Sequence, residues 1–145
     1  MNYTTLEQSK KLLELGLNPK SADMWYQHTG ISIKDGSQKP IYFPMIIRDN
    51  ESDDDIPCWT VGALLEIMPD EIYPKDYKDI PFWGFSPGLH KVHHSYDGMD
   101  FGTSYYMRYT SEDDGDDRVY KEFEEDTPIK AVYKMVVWLL ENKII

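Results

Sequence analysis

One cysteine, Cys58, occurs in 145 residues. No internal disulfide can form, which fits a reducing compartment. Positive charge is also scarce. Lys and Arg total 15 against 26 Asp and Glu, for a formal net charge of −11. The basic residues do not cluster; their densest stretch is Ser9-Lys10-Lys11. A phosphate backbone is repelled by such a field, so no direct nucleic-acid binding is expected. No run approaches 18 apolar residues, and the opening Met-Asn-Tyr-Thr-Thr-Leu-Glu-Gln lacks the basic and apolar regions of a signal peptide. The expectation is a cytoplasmic chain without a membrane partner.

Familiar reaction signatures are missing too. There is no GxGxxG, no GxxxxGK[ST], no GxSxG and no HExxH. No cofactor is expected. Aromatic residues, by contrast, abound: 11 Tyr, 4 Trp and 5 Phe. Rings supply enough apolar area to build a core and argue against disorder. A chain of this length reads as one domain over 1–145, with no internal repeat and no boundary.

The local patterns predict α+β. Thr5-Leu6-Glu7-Gln8 has the form of a capping box, and Gly16 sits where a left-handed residue ends a helix, giving a helix over 5–15. Gly30-Ile31-Ser32-Ile33 alternates as a strand, Asp35-Gly36 marks a turn, and 41–47 is apolar enough for a partner strand. Pro44 in that run points to an edge strand or a bulge. Residues 57–69 read as a second short helix capped by Thr60 and stopped by Pro69. A proline-bearing connection over 70–87 holds a short aromatic strand at 82–85. Strands follow at about 89–95, 101–110 and 118–124, the first pair turning at Asp97-Gly98 and the second joined by an acidic loop over 111–117. Phe101, Tyr105, Met107 and Tyr109 share one strand face by the period of two. Thr127-Pro128 opens a last helix with apolar residues on most of its circumference. The architecture is an antiparallel meander with three helices, the C-terminal one packed across the sheet.

Three blocks resemble a group of small uncharacterised proteins of Bacteroides-type gut bacteria and their phages or mobile elements. They are Thr5 to Leu17, then Pro57-Cys58-Trp59 with Gly62-Ala63-Leu64-Leu65, and finally Trp138-Leu139-Leu140-Glu141. The resemblance implies no activity, because none is assigned to that group.

The segment GLHKVHHSYDGMD, residues 88–100, holds three of the four histidines. His90, His93 and His94 are the candidate metal ligands, with Asp97 or Asp100 able to add an oxygen. The flanking Pro87-Gly88 and Asp97-Gly98 favour a strand. On a strand His90 and His94 stand about 13 Å apart, too far for one ion, and His93 points the other way. Cys58 precedes a helix, where the dipole lowers a thiol pKa, so with a histidine it is a candidate nucleophile; a packed corner of Pro57 and Trp59 argues for burial instead. The acidic loops fail as calcium sites: with Gly115 aligned to the invariant glycine, Thr110 and Lys121 fall where acids are needed. Tyr73, Tyr77, Trp83 and Phe85, with Phe82, crowd the connection, either as a binding patch or as cover for one end of the sheet.

Two functions fit these readings. The first is a non-enzymatic protein-interaction module with an acidic surface, taking a protein partner or a second copy of itself; one variant mimics DNA with an acidic face. The alternative is a small metal-dependent or cysteine/histidine hydrolase centred on the His90–His94 strand.

Overall fold

The computed structural model describes residues 1–45, 53–74, 84–113 and 116–145. The chain is α+β, and the described residues form two antiparallel three-stranded sheets and three α-helices. It gathers into two compact units, Met1–Ala63 and Leu64–Ile145.

In the N-terminal unit, helix α1 spans Leu6–Glu14. The capping box is formed: the Gln8 N–H donates to Thr5 Oγ1 at 3.2 Å, and the Thr5 N–H donates to Gln8 Oε1 at 2.9 Å. These bonds satisfy two of the donors a helix start leaves unpaired. Gly16 follows at φ 92°, a left-handed exit that glycine takes without a Cβ penalty. Ser9 and Leu12 are the helix's buried residues.

Strand β1, Met24–Lys34, turns through Asp35-Gly36 into β2, Ser37–Met45, and β3, Ile56–Cys58, pairs on the other side in the order β2-β1-β3. Pro44 thus lies on an edge strand, as its missing N–H requires. Pro57 and Cys58, read from sequence as part of a helix, belong to β3 instead. Pairing with Trp25 and Met24 captures them, and α2, Val61–Glu66, begins only after Thr60. Thr60 Oγ1 does cap it, accepting from the Ala63 N–H at 3.2 Å. Asp23 in turn accepts from the Thr60 N–H at 2.9 Å. Met24, Tyr26 and Cys58 form a buried cluster against which Tyr3, Leu6, Tyr42 and Ile56 pack.

In the C-terminal unit, β4 (Ser86–Tyr96), β5 (Met99–Asp113) and β6 (Asp116–Glu125) form a meander in the order β4-β5-β6. The first turn holds Asp97 at φ 49° and Gly98 at φ 75°. Two consecutive left-handed residues are what a tight hairpin turn needs. β5 and β6 run further toward each other than the acidic composition suggests. Backbone pairing continues through Glu112–Asp117 and Asp113–Asp116, so the expected loop over 111–117 is mostly strand.

Helix α3, Pro128–Glu141, is capped by Thr127 Oγ1 and lies against β5 and β6. It buries Ile129, Ala131, Val132, Met135, Val136 and Leu139. Six such residues contribute on the order of 10 kcal/mol of gross hydrophobic stabilisation, before conformational entropy is charged against it. The helix covers the sheet face that carries Met107 and Tyr109, both fully buried. Leu89 pairs with Met107, so Leu89, Lys91 and His93 share that side. His90, Val92 and His94 belong to the opposite face, with Ser104, Tyr106 and Arg108. Phe101 leaves the set expected from the period of two. A bulge separates the pairs His94–Gly102 and Ser95–Asp100, so Phe101 falls outside the register and is exposed.

Candidate functional site

The histidine strand was the first candidate. His93 Nδ1 lies 3.3 Å from Thr103 Oγ1, and its Nε2 lies 3.6 Å from Asp100 Oδ1. His94 Nε2 lies 3.0 Å from Ser104 Oγ on the other face. His90 is exposed, four cross-strand pairs from His94. Strand geometry therefore separates the three side chains. Among the described residues no group of three His, Cys, Asp or Glu side chains is placed to hold a metal ion. His28, the fourth histidine, packs edge-on against Tyr42, with centroids 5.5 Å apart.

His94 and Ser104 border an open notch of about 590 Å³ together with Tyr96, Phe101 and Glu124. Ser104 and Tyr106 hydrogen-bond the Glu124 carboxyl and hold it below the usual carboxylate range, with Ser104 the larger cause. This wiring bears on chemistry. A serine hydroxyl has one proton, and Glu124 competes with His94 for it. A carboxylate that competes for the serine proton opposes the arrangement in which histidine alone draws a proton from a nucleophilic serine.

Cys58 is fully buried. Its thiol donates to the Thr4 carbonyl at 3.4 Å and lies 3.7 Å from Thr4 Oγ1. Burial pushes the thiol pKa up, outweighing its hydrogen bonds. Tyr26, whose hydroxyl donates to the same Thr4 carbonyl at 2.8 Å, is also raised by burial. A buried, neutral thiol is a packing group, not a nucleophile.

The aromatic connection divides. Phe85 is 2% exposed and Tyr73 is 63% exposed. Tyr77 and Trp83, with Phe82, lie outside the described residues. Ile72 and Phe85 pair as an isolated bridge, exchanging backbone hydrogen bonds of 2.9 and 3.0 Å. That bridge fixes Tyr73 at the mouth of a cleft of about 490 Å³, lined by Glu71, Ile72, Tyr73, Tyr120, Trp138 and Asn142 among others. Phe85, Tyr120 and Trp138 form a run of rings: the first pair has centroids 5.3 Å apart and the second 5.9 Å. The Tyr73 hydroxyl donates to the Glu71 carboxylate, which raises its pKa and keeps it a donor.

Gly84 seats this cleft. A Cβ there would lie 2.9 Å from Tyr73 Cζ and 3.1 Å from Glu71 Cβ. Only the absent side chain lets the Tyr73 ring rest over the backbone. Sequence reasoning found Tyr73 but missed Tyr120, Trp138 and Gly84. The first two come from β6 and α3, far along the chain. Gly84 did carry a signal, since a lone glycine in an aromatic strand often marks a close approach.

No protein family, no curated protein and no solved structure matches the chain.

Proposed function

We propose that this protein is a non-enzymatic interaction module that holds a partner protein at the aromatic cleft of its C-terminal unit. The observation that carries the reading is Tyr73, a large ring left 63% exposed beside Tyr120 and Trp138 in a cleft of about 490 Å³. Tyrosine and tryptophan concentrate where partners bind, because each offers a wide apolar face and a polar edge at low entropic cost. The charge of −11 favours a partner with a basic surface and disfavours nucleic acid. The buried thiol and the serine wired to Glu124 weigh against the hydrolase alternative.

The test is comparative capture from a Bacteroides-type host, the source to which the sequence resemblance points. Wild-type protein, Tyr73→Ala and Tyr96→Ala serve as baits. Tyr96 is a control, an exposed aromatic outside the cleft. The expected result is a partner retained by wild type and Tyr96→Ala and lost by Tyr73→Ala. Recovery that ignores the Tyr73 substitution, or no partner at all, a second copy included, overturns the reading.

A further inference from the structure

We infer that the cleft receives a lysine side chain of the partner, with its ammonium held by aromatic rings, the Glu71 carboxylate and the negative end of α3. The inference rests on the interaction reading above and assigns the chemistry of what is held.

The rings come first. Tyr120 and Trp138 stand at 69° to each other, with centroids 5.9 Å apart, and both line the cleft. A cation within about 6 Å of a ring centroid is drawn to its face, most strongly by tryptophan. The chain already uses Trp138 this way. Lys121 Nζ, reaching over from β6, lies 5.5 Å from its centroid and is not among the residues lining the cleft.

Charge is the second argument. Glu71 lines the cleft, and its carboxylate is oriented by the Tyr73 hydroxyl. Asp70 adjoins it in sequence. Lys143 is the cation among the described lining residues. A hydrogen-bonded carboxylate at an aromatic wall suits an ammonium and repels an anion.

The helix end is the third. Trp138 and Asn142 line the cleft at the last turn and cap of α3. A helix C-terminus carries about half a negative charge and is ordinarily balanced by Lys, Arg or His. The last turn of α3 holds no basic residue and Glu141 adds an acid there, so Lys143, just past the Asn142 cap, is the cation that faces this end from the cleft lining. The cleft volume of about 490 Å³ exceeds a single lysine side chain and accommodates its neighbours in an extended peptide.

Blocked alanine pentapeptides with one central residue provide the probe: lysine, Nε-acetyllysine and Nε-trimethyllysine. Each is titrated into isotope-labelled full-length protein while the Trp138 indole and the Tyr73 and Asn142 amide resonances are followed. The lysine peptide is expected to move these signals along a saturable curve. The acetylated peptide should bind about tenfold more weakly, and Glu71→Gln should weaken the lysine peptide about fivefold, consistent with loss of one charge-assisted contact. Tighter binding of the trimethylated form assigns the rings as the main source of affinity; weaker binding assigns Glu71. Equal affinity of the acetylated peptide overturns the inference, as do unmoved cleft resonances or binding indifferent to both Glu71→Gln and Tyr73→Ala. The two readings fail separately. A Tyr73-dependent partner with no lysine preference removes this inference alone. A lysine-binding cleft without any cellular partner removes the other.

Discussion

Thr4 and Trp59 clasp each other from opposite ends of the N-terminal unit's sequence. The Thr4 N–H donates to the Trp59 carbonyl at 2.9 Å, and the Trp59 N–H donates to Thr4 Oγ1 at 3.1 Å. Thr4 Oγ1 also meets Ser9 Oγ at 2.8 Å, and Trp59 Nε1 donates to Ser21 Oγ at 3.0 Å. Thr4, Ser9 and Trp59 are all 0% exposed, so water cannot replace these partners. Thr4→Val keeps the shape and removes the hydroxyl. It leaves a buried N–H and a buried serine hydroxyl unpaired, at a cost of about 1–3 kcal/mol each in the harsher cases. We expect a loss of about 2–3 kcal/mol in urea unfolding. A loss below half a kcal/mol would show that the network relaxes without Thr4.

Cys58 follows from the same cluster. A thiol that is fully buried and raised in pKa exposes no thiolate to reagents. Its reaction with an aromatic disulfide reagent should track unfolding: negligible in native protein and rapid in urea. Fast native labelling with retained folded structure is the outcome that contradicts this placement.

The contrast between Cys58 and the cleft shows what could be read along the chain. Helix boundaries at Thr5, Gly16, Thr60 and Thr127 were legible because caps are local chemistry. So was the tight turn at Asp97-Gly98. β3 was not. Three residues hold too little pattern to compete with the apolar run after them, and only pairing with Met24, Trp25 and Tyr26 makes them a strand. The lengths of β5 and β6 were hidden by acidic residues that lower strand propensity locally, a preference overridden by cross-strand pairing. The cleft was half legible. Tyr73 stood out in an aromatic connection, whereas Tyr120 and Trp138 read as strand and helix core positions until the fold brought them together.

Alkaline pH should destabilise the protein through Tyr109. Its ring is fully buried and its hydroxyl donates to the Pro69 carbonyl at 2.9 Å. Burial pushes its pKa from the ordinary 10.0 to about 12. The folded pKa lies above the unfolded one, so the contribution is intact below pH 10.0 and is lost as pH rises toward about 12. The decline across that window should be on the order of 2 kcal/mol. Tyr109→Phe should cost about 1 kcal/mol at neutral pH for the hydrogen bond and flatten the alkaline decline. Urea midpoints collected against pH provide the comparison; parallel curves for the two proteins would refute it.

Ser104 controls Glu124. Its hydrogen bond is the largest cause of the carboxyl's depressed pKa, ahead of Tyr106 and His94. In Ser104→Ala the Glu124 carboxyl should titrate at higher pH, closer to an ordinary glutamate. Tyr106→Phe should shift it in the same direction by less. Carbon-13 detection of the side-chain carboxyl reads both. An unchanged titration in Ser104→Ala would mean that His94 or Tyr106 governs the site, and Ser104 would no longer count as the partner of the carboxylate.

Gly84 offers a way to disturb the cleft without removing any of its chemistry. A methyl group at 84 would stand 2.9 Å from Tyr73 Cζ, closer than carbon atoms approach. The ring tip is exposed and can swing away, so the strain is relieved by moving Tyr73, not by opening the core. The Glu71 Cβ at 3.1 Å has less freedom and should shift by a few tenths of an ångström. Gly84→Ala is therefore expected to remain folded, with a stability change of about 1 kcal/mol or less. It should nevertheless weaken the lysine-bearing peptide about as much as Tyr73→Ala does, because both remove the ring from the cleft mouth. Paired measurements of urea stability and peptide affinity decide the matter. Unchanged affinity in a folded Gly84→Ala protein would show that the ring's seat is irrelevant to binding, and the contact between Gly84 and Tyr73 would then be a packing detail only.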